Sequence, residues 1–156
     1  MAQQKKSALF ICLGNICRSP MAEAVFRHIL KQNESIDDWE VDSAALGSWH
    51  VGKGPDRRTN KVLKRNGIDY THKVRQITKE DFKKFDFIFG MDDSNMKELD
   101  SMKPSNSKAE LILLGTYDPE GERIIRDPYY DDDDAGFEKC YEQCVRSCTA
   151  FLQKHS

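Results

Sequence analysis

No apolar run in these 156 residues approaches the roughly 18 that a membrane-spanning helix needs, so no membrane span is expected. Charge of one sign is not in excess either. The 24 Lys and Arg against 26 Asp and Glu leave a net charge of −2, which argues against a nucleic-acid partner held through its phosphates. Cysteine is sparse and odd in number, five in all, which speaks against a disulfide framework and for a reducing, cytoplasmic setting. Internal repeats, low-complexity linkers and composition breaks are missing, and with them any mark of a second domain. Two separate cores would leave about 78 residues each, where a hydrophobic core alone is marginal, so one domain over 1–156 is expected. The Gly-Lys-Ser/Thr ending of a nucleotide-binding loop is absent too. Lys5-Lys6 followed by an apolar stretch to Leu13 has the outline of a signal peptide. That stretch is short, however, and runs into Gly14-Asn15 and Arg18 with no small-residue cleavage pattern, so it reads as a buried strand.

What the chain does contain is a globular composition, 38% hydrophobic and 10% aromatic. Four segments have strand length and character: residues 8–12, 39–43, 85–89 and 111–114. The first and last are almost wholly apolar, as in parallel strands covered on both faces. Between them, Met21, Val25 and Ile29, with Ala22 and Phe26, form a helical stripe, and residues 57–66 and 93–102 read as shorter helices. Phe137, Tyr141, Cys144, Cys148, Phe151 and Leu152 keep helical spacing over a long final segment. This alternation predicts an α/β three-layer sandwich, a four-stranded twisted parallel sheet with helices on both faces. Cys140, Cys144 and Cys148 recur every four residues and read as a packing stripe of small buried thiols. Charge is uneven along the chain. Residues 53–84 hold eleven Lys or Arg against four Asp or Glu, and residues 118–138 hold nine Asp or Glu against two Arg. The run Asp131–Asp134 reads as a solvated loop.

In open parallel sheets ligands sit at the carboxyl ends of the strands, so the loop after the first strand matters most. It is Cys12-Leu13-Gly14-Asn15-Ile16-Cys17-Arg18-Ser19-Pro20. Ser19 suits a helix N-cap and Pro20 the first helical position. A strand end leading into a helix N-terminus points backbone N–H groups and the positive end of a helix dipole inward, which suits a tetrahedral oxyanion. Gly14 and Asn15 are the residue types that most readily take left-handed backbone angles. Arg18 supplies a permanently charged, bidentate clamp. A Cys12 thiolate in that nest is equipped to attack phosphorus while the loop amides and Arg18 stabilise the equatorial oxygens. The leaving oxygen then needs a proton donor. Asp118 and Asp127 both precede proline in the acidic segment, and the residues alone do not choose between them.

The loop resembles the signature of the low-molecular-weight protein tyrosine phosphatases. The resemblance extends in order through Val41-Asp42-Ser43-Ala44-Ala45, Arg75-Gln76-Ile77-Thr78-Lys79-Glu80-Asp81-Phe82, Met91-Asp92-Asp93-Ser94-Asn95 and Asp127-Pro128-Tyr129-Tyr130. It implies a metal-independent acid phosphatase without cofactor, acting on phosphotyrosine-containing proteins and small aryl phosphates and releasing inorganic phosphate. In that resemblance Cys12 is the nucleophile and Arg18 the transition-state stabiliser. Asp127 is the general acid and then the base for hydrolysis of a phosphocysteine. The phosphate-binding loop is Leu13, Gly14, Asn15, Ile16, Cys17 and Ser19. Asn15, Ser19, Ser43 and His72 form a supporting network, and Asp92 pairs with the loop arginine.

The segment 46–56 is long and irregular for a connector, and an exposed Trp49 there points to a ligand. By resemblance Trp49 and the Tyr129-Tyr130 pair, with Leu13 and Ile16, wall a slot for a phenyl ring. Members that prefer phosphoarginine resemble one another in carrying threonine where this chain has Ile16, so phosphotyrosine is expected here. Arsenate reductases borrow the same fold and loop, but need further cysteines near residues 80–90, where this chain has Phe82, Phe85, Phe87 and Phe89 and no cysteine. A phosphate-binding module without turnover would lack Cys12, Arg18 or Asp127, and all three are present. Cys12 and Cys17 share one curled loop within reach of the roughly 4.4–6.8 Å Cα separation of a disulfide, so a redox-sensitive nucleophile is expected.

Overall fold

The computed structural model describes residues 5–155. Four parallel strands, β1 (Lys6–Cys12), β2 (Trp39–Ala45), β3 (Phe87–Gly90) and β4 (Glu110–Leu113), form one sheet in the order β2-β1-β3-β4. The helices are α1 (Arg18–Gln32), α2 (Arg57–Arg65), α3 (Lys79–Lys84), α4 (Asp93–Met102) and α5 (Ala135–His155). Because side chains alternate along a strand, β1 feeds both layers. Ala8, Phe10 and Cys12 face the core built with α1, α2 and α5, whereas Leu9 and Ile11 face the one built with α3 and α4. No helix among the described residues is long and apolar enough to cross a membrane.

Phe151 on α5 anchors the larger core. Its ring meets Phe89 edge-on at 4.8 Å and lies 6.0 Å from Phe26 of α1, so the last helix is tied to the sheet through aromatic contacts. Cys140, Cys144 and Cys148 are buried free thiols in this same core.

Some boundaries move from the expected ones. The third strand begins at Phe87, because Phe85 instead closes α3, its amide donating to Asp81 O at 3.0 Å. Helix α3 was not anticipated. Its signal is a capping box, Thr78 with Asp81, in which the Asp81 carboxylate accepts from Thr78 N at 2.8 Å. The first helix starts at Arg18, with Cys17 as N-cap, so Ser19 is not the cap and Pro20 is not the first residue. Proline is tolerated there because amides throughout the first turn have no intrahelical partner.

The opposed charge of the two chain segments is used within the fold. Lys61 and Arg65 of α2 pair with Asp134, and Arg65 also with Glu138 of α5. Arg126 clamps Asp131 with two bonds at 3.0 and 2.6 Å. The acidic run is therefore pinned at both ends, with Asp132 and Asp133 exposed between them.

Candidate active site

Strand β1 ends in Cys12, and the chain then curls back at Asn15, whose φ of +56° is the left-handed turn of the loop. Gly14 was expected to share that conformation and does not. Its need is for space, since a Cβ there would lie 3.1 Å from the His50 ring. The curl aims two backbone amides at the cysteine. Asn15 N lies 3.3 Å and Ser19 N 3.4 Å from Cys12 Sγ, and the Ser19 hydroxyl is 3.0 Å away. The loop is held from the sheet side by Leu46 N and Gly47 N, which donate to Cys12 O and Leu13 O. From the α2 side, Asp56 N and the Thr59 hydroxyl both donate to Ile16 O.

Arg18 is buried beneath the loop. Its Nη1 donates to Asp92 Oδ2 at 2.7 Å and to Ile125 O at 3.0 Å, and its Nη2 lies 3.6 Å from Asp127 Oδ2. Its Nε is a buried donor with no acceptor among the described residues, the kind of group that a bound oxyanion satisfies. Burial works against the Arg18 charge. The neighbouring Cys12, Asp92 and Asp127 outweigh it and hold the guanidinium above its ordinary value. Cys17, also buried, has its thiol pushed well up by burial first, then by Asp56 and Cys12.

Cys12, Leu13, Gly14, Ile16, Cys17, Trp49, His50, Asp127, Tyr129 and Tyr130 line one cleft of about 450 Å³. Trp49 is 66% and Tyr130 89% exposed, so apolar rings stand at its mouth. Gly47 allows this, because a Cβ there would overlap the Trp49 ring. Arg58 of α2 fixes the opposite wall, donating to Tyr129 O and Asp131 O at 2.9 Å each.

Of the two candidate acids, only Asp127 lines the cleft. Asp118 is buried against α5, where Arg146 forms two bonds to it at 2.9 and 3.0 Å and holds its carboxyl below the usual range. Asn15, Ser19, Ser43 and His72 come together behind the cleft. Asn15 Nδ2 reaches Ser19 Oγ at 2.7 Å and Ser43 Oγ at 3.0 Å, and His72 Nε2 lies 2.7 Å from Asn15 Oδ1. Asp92 receives Arg18 and also caps α4, accepting from Asn95 N.

Sequence reasoning missed Glu23, Tyr70, His50, Arg58 and the carbonyl of Ile125. Glu23 and Arg27 are spaced like an ordinary surface pair, and only the fold turns Glu23 inward. His50 had one available signal, its place beside Trp49 in the irregular loop. Glu23, Asp42 and His72 offer possible metal-ligand atoms within 4.8 Å of one another. Each is already engaged: Glu23 by Arg27, Asp42 by Arg75 and His72 by Asn15.

The fold and the site together define an α/β oxyanion-binding protein in which the first strand delivers a cysteine into a loop of inward amides, backed by a buried arginine. Its sequence matches the profile of the low molecular weight phosphotyrosine protein phosphatases over residues 7–155. The chain belongs to that family, and so to the phosphatase class of enzymes. It is 52% identical over 157 aligned residues to the low molecular weight phosphotyrosine protein phosphatase of Sus scrofa, covering 99% of both chains. Among solved structures it is similar to a protein tyrosine phosphatase of Entamoeba histolytica, with 33% identity, TM-score 0.92 and 97% coverage of each chain. It is also similar to a drosophila arginine phosphatase, with 41% identity, TM-score 0.91, and 96% and 97% of the two chains covered.

Proposed function

We propose that this protein hydrolyses phosphotyrosine in proteins, and small aryl phosphates, through a phosphocysteine on Cys12, without a metal and in a reducing, cytoplasmic setting. The observation that carries this reading is the convergence on Cys12 Sγ of two backbone amides and the Ser19 hydroxyl, together with a buried Arg18 Nε that has no acceptor among the described residues. Donors so arranged before any charge arrives need little reorganisation as charge builds on the transferring phosphoryl group.

In the first step Cys12 Sγ attacks phosphorus and the phosphorus–oxygen bond to tyrosine breaks. Asp127 gives its proton to the departing phenoxide. In the second step Asp127, now a carboxylate, takes a proton from water as the water oxygen attacks phosphorus. The sulfur–phosphorus bond breaks, and inorganic phosphate and the thiolate are regenerated. Asp127 is held for this by Tyr129 N, which donates to its Oδ1 at 3.1 Å. The aromatic mouth of Trp49, Tyr129 and Tyr130, with Leu13 and Ile16, accounts for a preference for an aryl ester.

The test is hydrolysis of an aryl phosphate with and without a metal chelator, comparing the parent with Cys12→Ser. Chelator-resistant turnover lost in Cys12→Ser is expected. Turnover that chelation abolishes, or that Cys12→Ser retains, overturns the mechanism.

A further inference from the structure

Glu23 has no part in the chemistry above, yet it is one of three buried carboxylates among the described residues, with Asp81 and Asp118. Its Oε2 accepts from Arg27 Nε at 2.7 Å in an ion pair along α1. Its Oε1 accepts from the hydroxyls of Ser43 and Tyr70, each at 2.7 Å. Burial, and then Glu23 itself, push the Tyr70 phenol up, so Tyr70 keeps its proton and donates.

Counting protons along the chain from Glu23 gives it a direction. An ionised carboxylate has no proton to give, so the single proton of Ser43 goes to Glu23 and the Ser43 oxygen is left to accept. Asn15 Nδ2 supplies that bond at 3.0 Å and a second to Ser19 Oγ at 2.7 Å. Asn15 Oδ1 must then accept, which puts a proton on His72 Nε2, 2.7 Å away. With its oxygen already accepting, Ser19 turns its one proton to Cys12 Sγ, 3.0 Å away. Were the chain reversed, Asn15 would present its oxygen to Ser19 and take that proton away from the sulfur.

We infer that Glu23 is a positioning residue whose buried carboxylate sets the proton direction through Ser43 and Asn15, so that Ser19 donates to the Cys12 thiolate. The inference rests on Cys12 being the nucleophile. The charged and titratable groups facing Glu23 are Arg27 on α1, Asp42 on β2, and Tyr70 and His72 from the segment after α2. Those around Cys12 are Arg18 and Cys17 with Asp92, Asp127 and His50.

Glu23→Gln isolates the role. The amide has one acceptor oxygen for three donors, Arg27 on one side and Ser43 with Tyr70 on the other, and turning it to Arg27 faces Ser43 with a donor. The experiment follows the pH dependence of Cys12 alkylation by iodoacetamide, together with kcat and KM on p-nitrophenyl phosphate. Glu23→Gln is expected to raise the alkylation midpoint by about one unit, the size of one hydrogen bond to a charged group. Below that midpoint kcat falls about tenfold with KM little changed. In a Ser19→Ala background the same substitution adds no further shift, because the proton it redirects is gone. Tyr70→Phe, which removes a bond to the same oxygen without reversing the chain, leaves the midpoint in place.

An unchanged midpoint in Glu23→Gln, or an equal shift with and without Ser19, overturns the inference. If Glu23→Gln does not fold, Ser43→Ala decides in its place. A raised midpoint that vanishes in the Ser19→Ala background supports the chain, and an unchanged one overturns it. Alkylation needs no turnover, so an inactive parent protein would count against the proposed hydrolysis while the titration still judged Glu23.

Discussion

The carboxylate of Asp92 is divided between two elements. Its Oδ2 receives Arg18 Nη1 at 2.7 Å, and its Oδ1 caps α4 by accepting from Asn95 N, also at 2.7 Å. One residue therefore holds the buried arginine of the loop and secures the helix that follows β3. The two duties separate by substitution. Asp92→Ala should lose about 1 kcal/mol from the missing cap and about 10–100-fold in kcat/KM from a freed Arg18. Asp92→Ser should recover only the cap's share of the melting temperature, since Arg18 still loses its buried partner, and leave kcat/KM low. Recovery of both by serine would mean that Asp92 acts only as a cap.

Asp127→Asn should slow turnover by roughly 10²–10⁴-fold, the usual contribution of a positioned proton donor. The loss should be smallest for a nitrophenolate, which leaves tolerably without a proton, and largest for unactivated phenyl or alkyl esters. A plot of rate against leaving-group pKa measures this, and parallel lines for mutant and parent would remove Asp127 from the acid role.

Asp118→Asn should leave turnover nearly unchanged and cost about 2–3 kcal/mol of stability, since it breaks a bidentate, charged pair of hydrogen bonds from Arg146. Because Arg146 depresses the folded-state value of Asp118, the stabilisation is present above about pH 4 and is lost as pH falls through that folded value. Denaturant titrations of parent and mutant at neutral and acid pH should therefore converge on acidification.

Mild peroxide should inactivate the enzyme reversibly through a Cys12–Cys17 disulfide. Cys17 is buried and its thiol is pushed up, so it stays protonated while Cys12 takes the first oxidation. Cys17 then attacks the Cys12 sulfenic acid, its proton leaving with the hydroxyl as water. Peptide mapping decides the matter: Cys17 recovered as a free thiol beside oxidised Cys12 rejects the disulfide.

Ile16 and Leu13 offer the slot apolar walls and no side-chain hydrogen bond for a guanidinium. In matched peptides kcat/KM should favour phosphotyrosine over phosphoarginine, and Ile16→Thr should narrow the gap. Faster turnover of phosphoarginine by the parent protein would overturn the substrate assignment.

The parts of this protein that the sequence determined by itself are those whose atoms lie close together along the chain. Apolar runs and 3.6-residue spacing were enough for four parallel strands and the longer helices, because burial of one face imposes that periodicity locally. The loop from Cys12 to Arg18 was legible for the same reason, since a strand end, a left-handed Asn15 and a helix start all fall within a few residues. Short α3 escaped because six residues hold too little periodicity to register. Tertiary structure decided what depends on distant partners. Asp118 and Asp127 are alike as Asp-Pro pairs in one acidic segment. They diverge because Arg146 of α5 captures the first, while Ile125, bonded to Met91 and Arg18, carries the second to the cleft. Glu23 looks like half of a surface ion pair until Ser43, Tyr70 and the sheet close over it, and a carboxylate removed from water must then find its hydrogen bonds inside the protein.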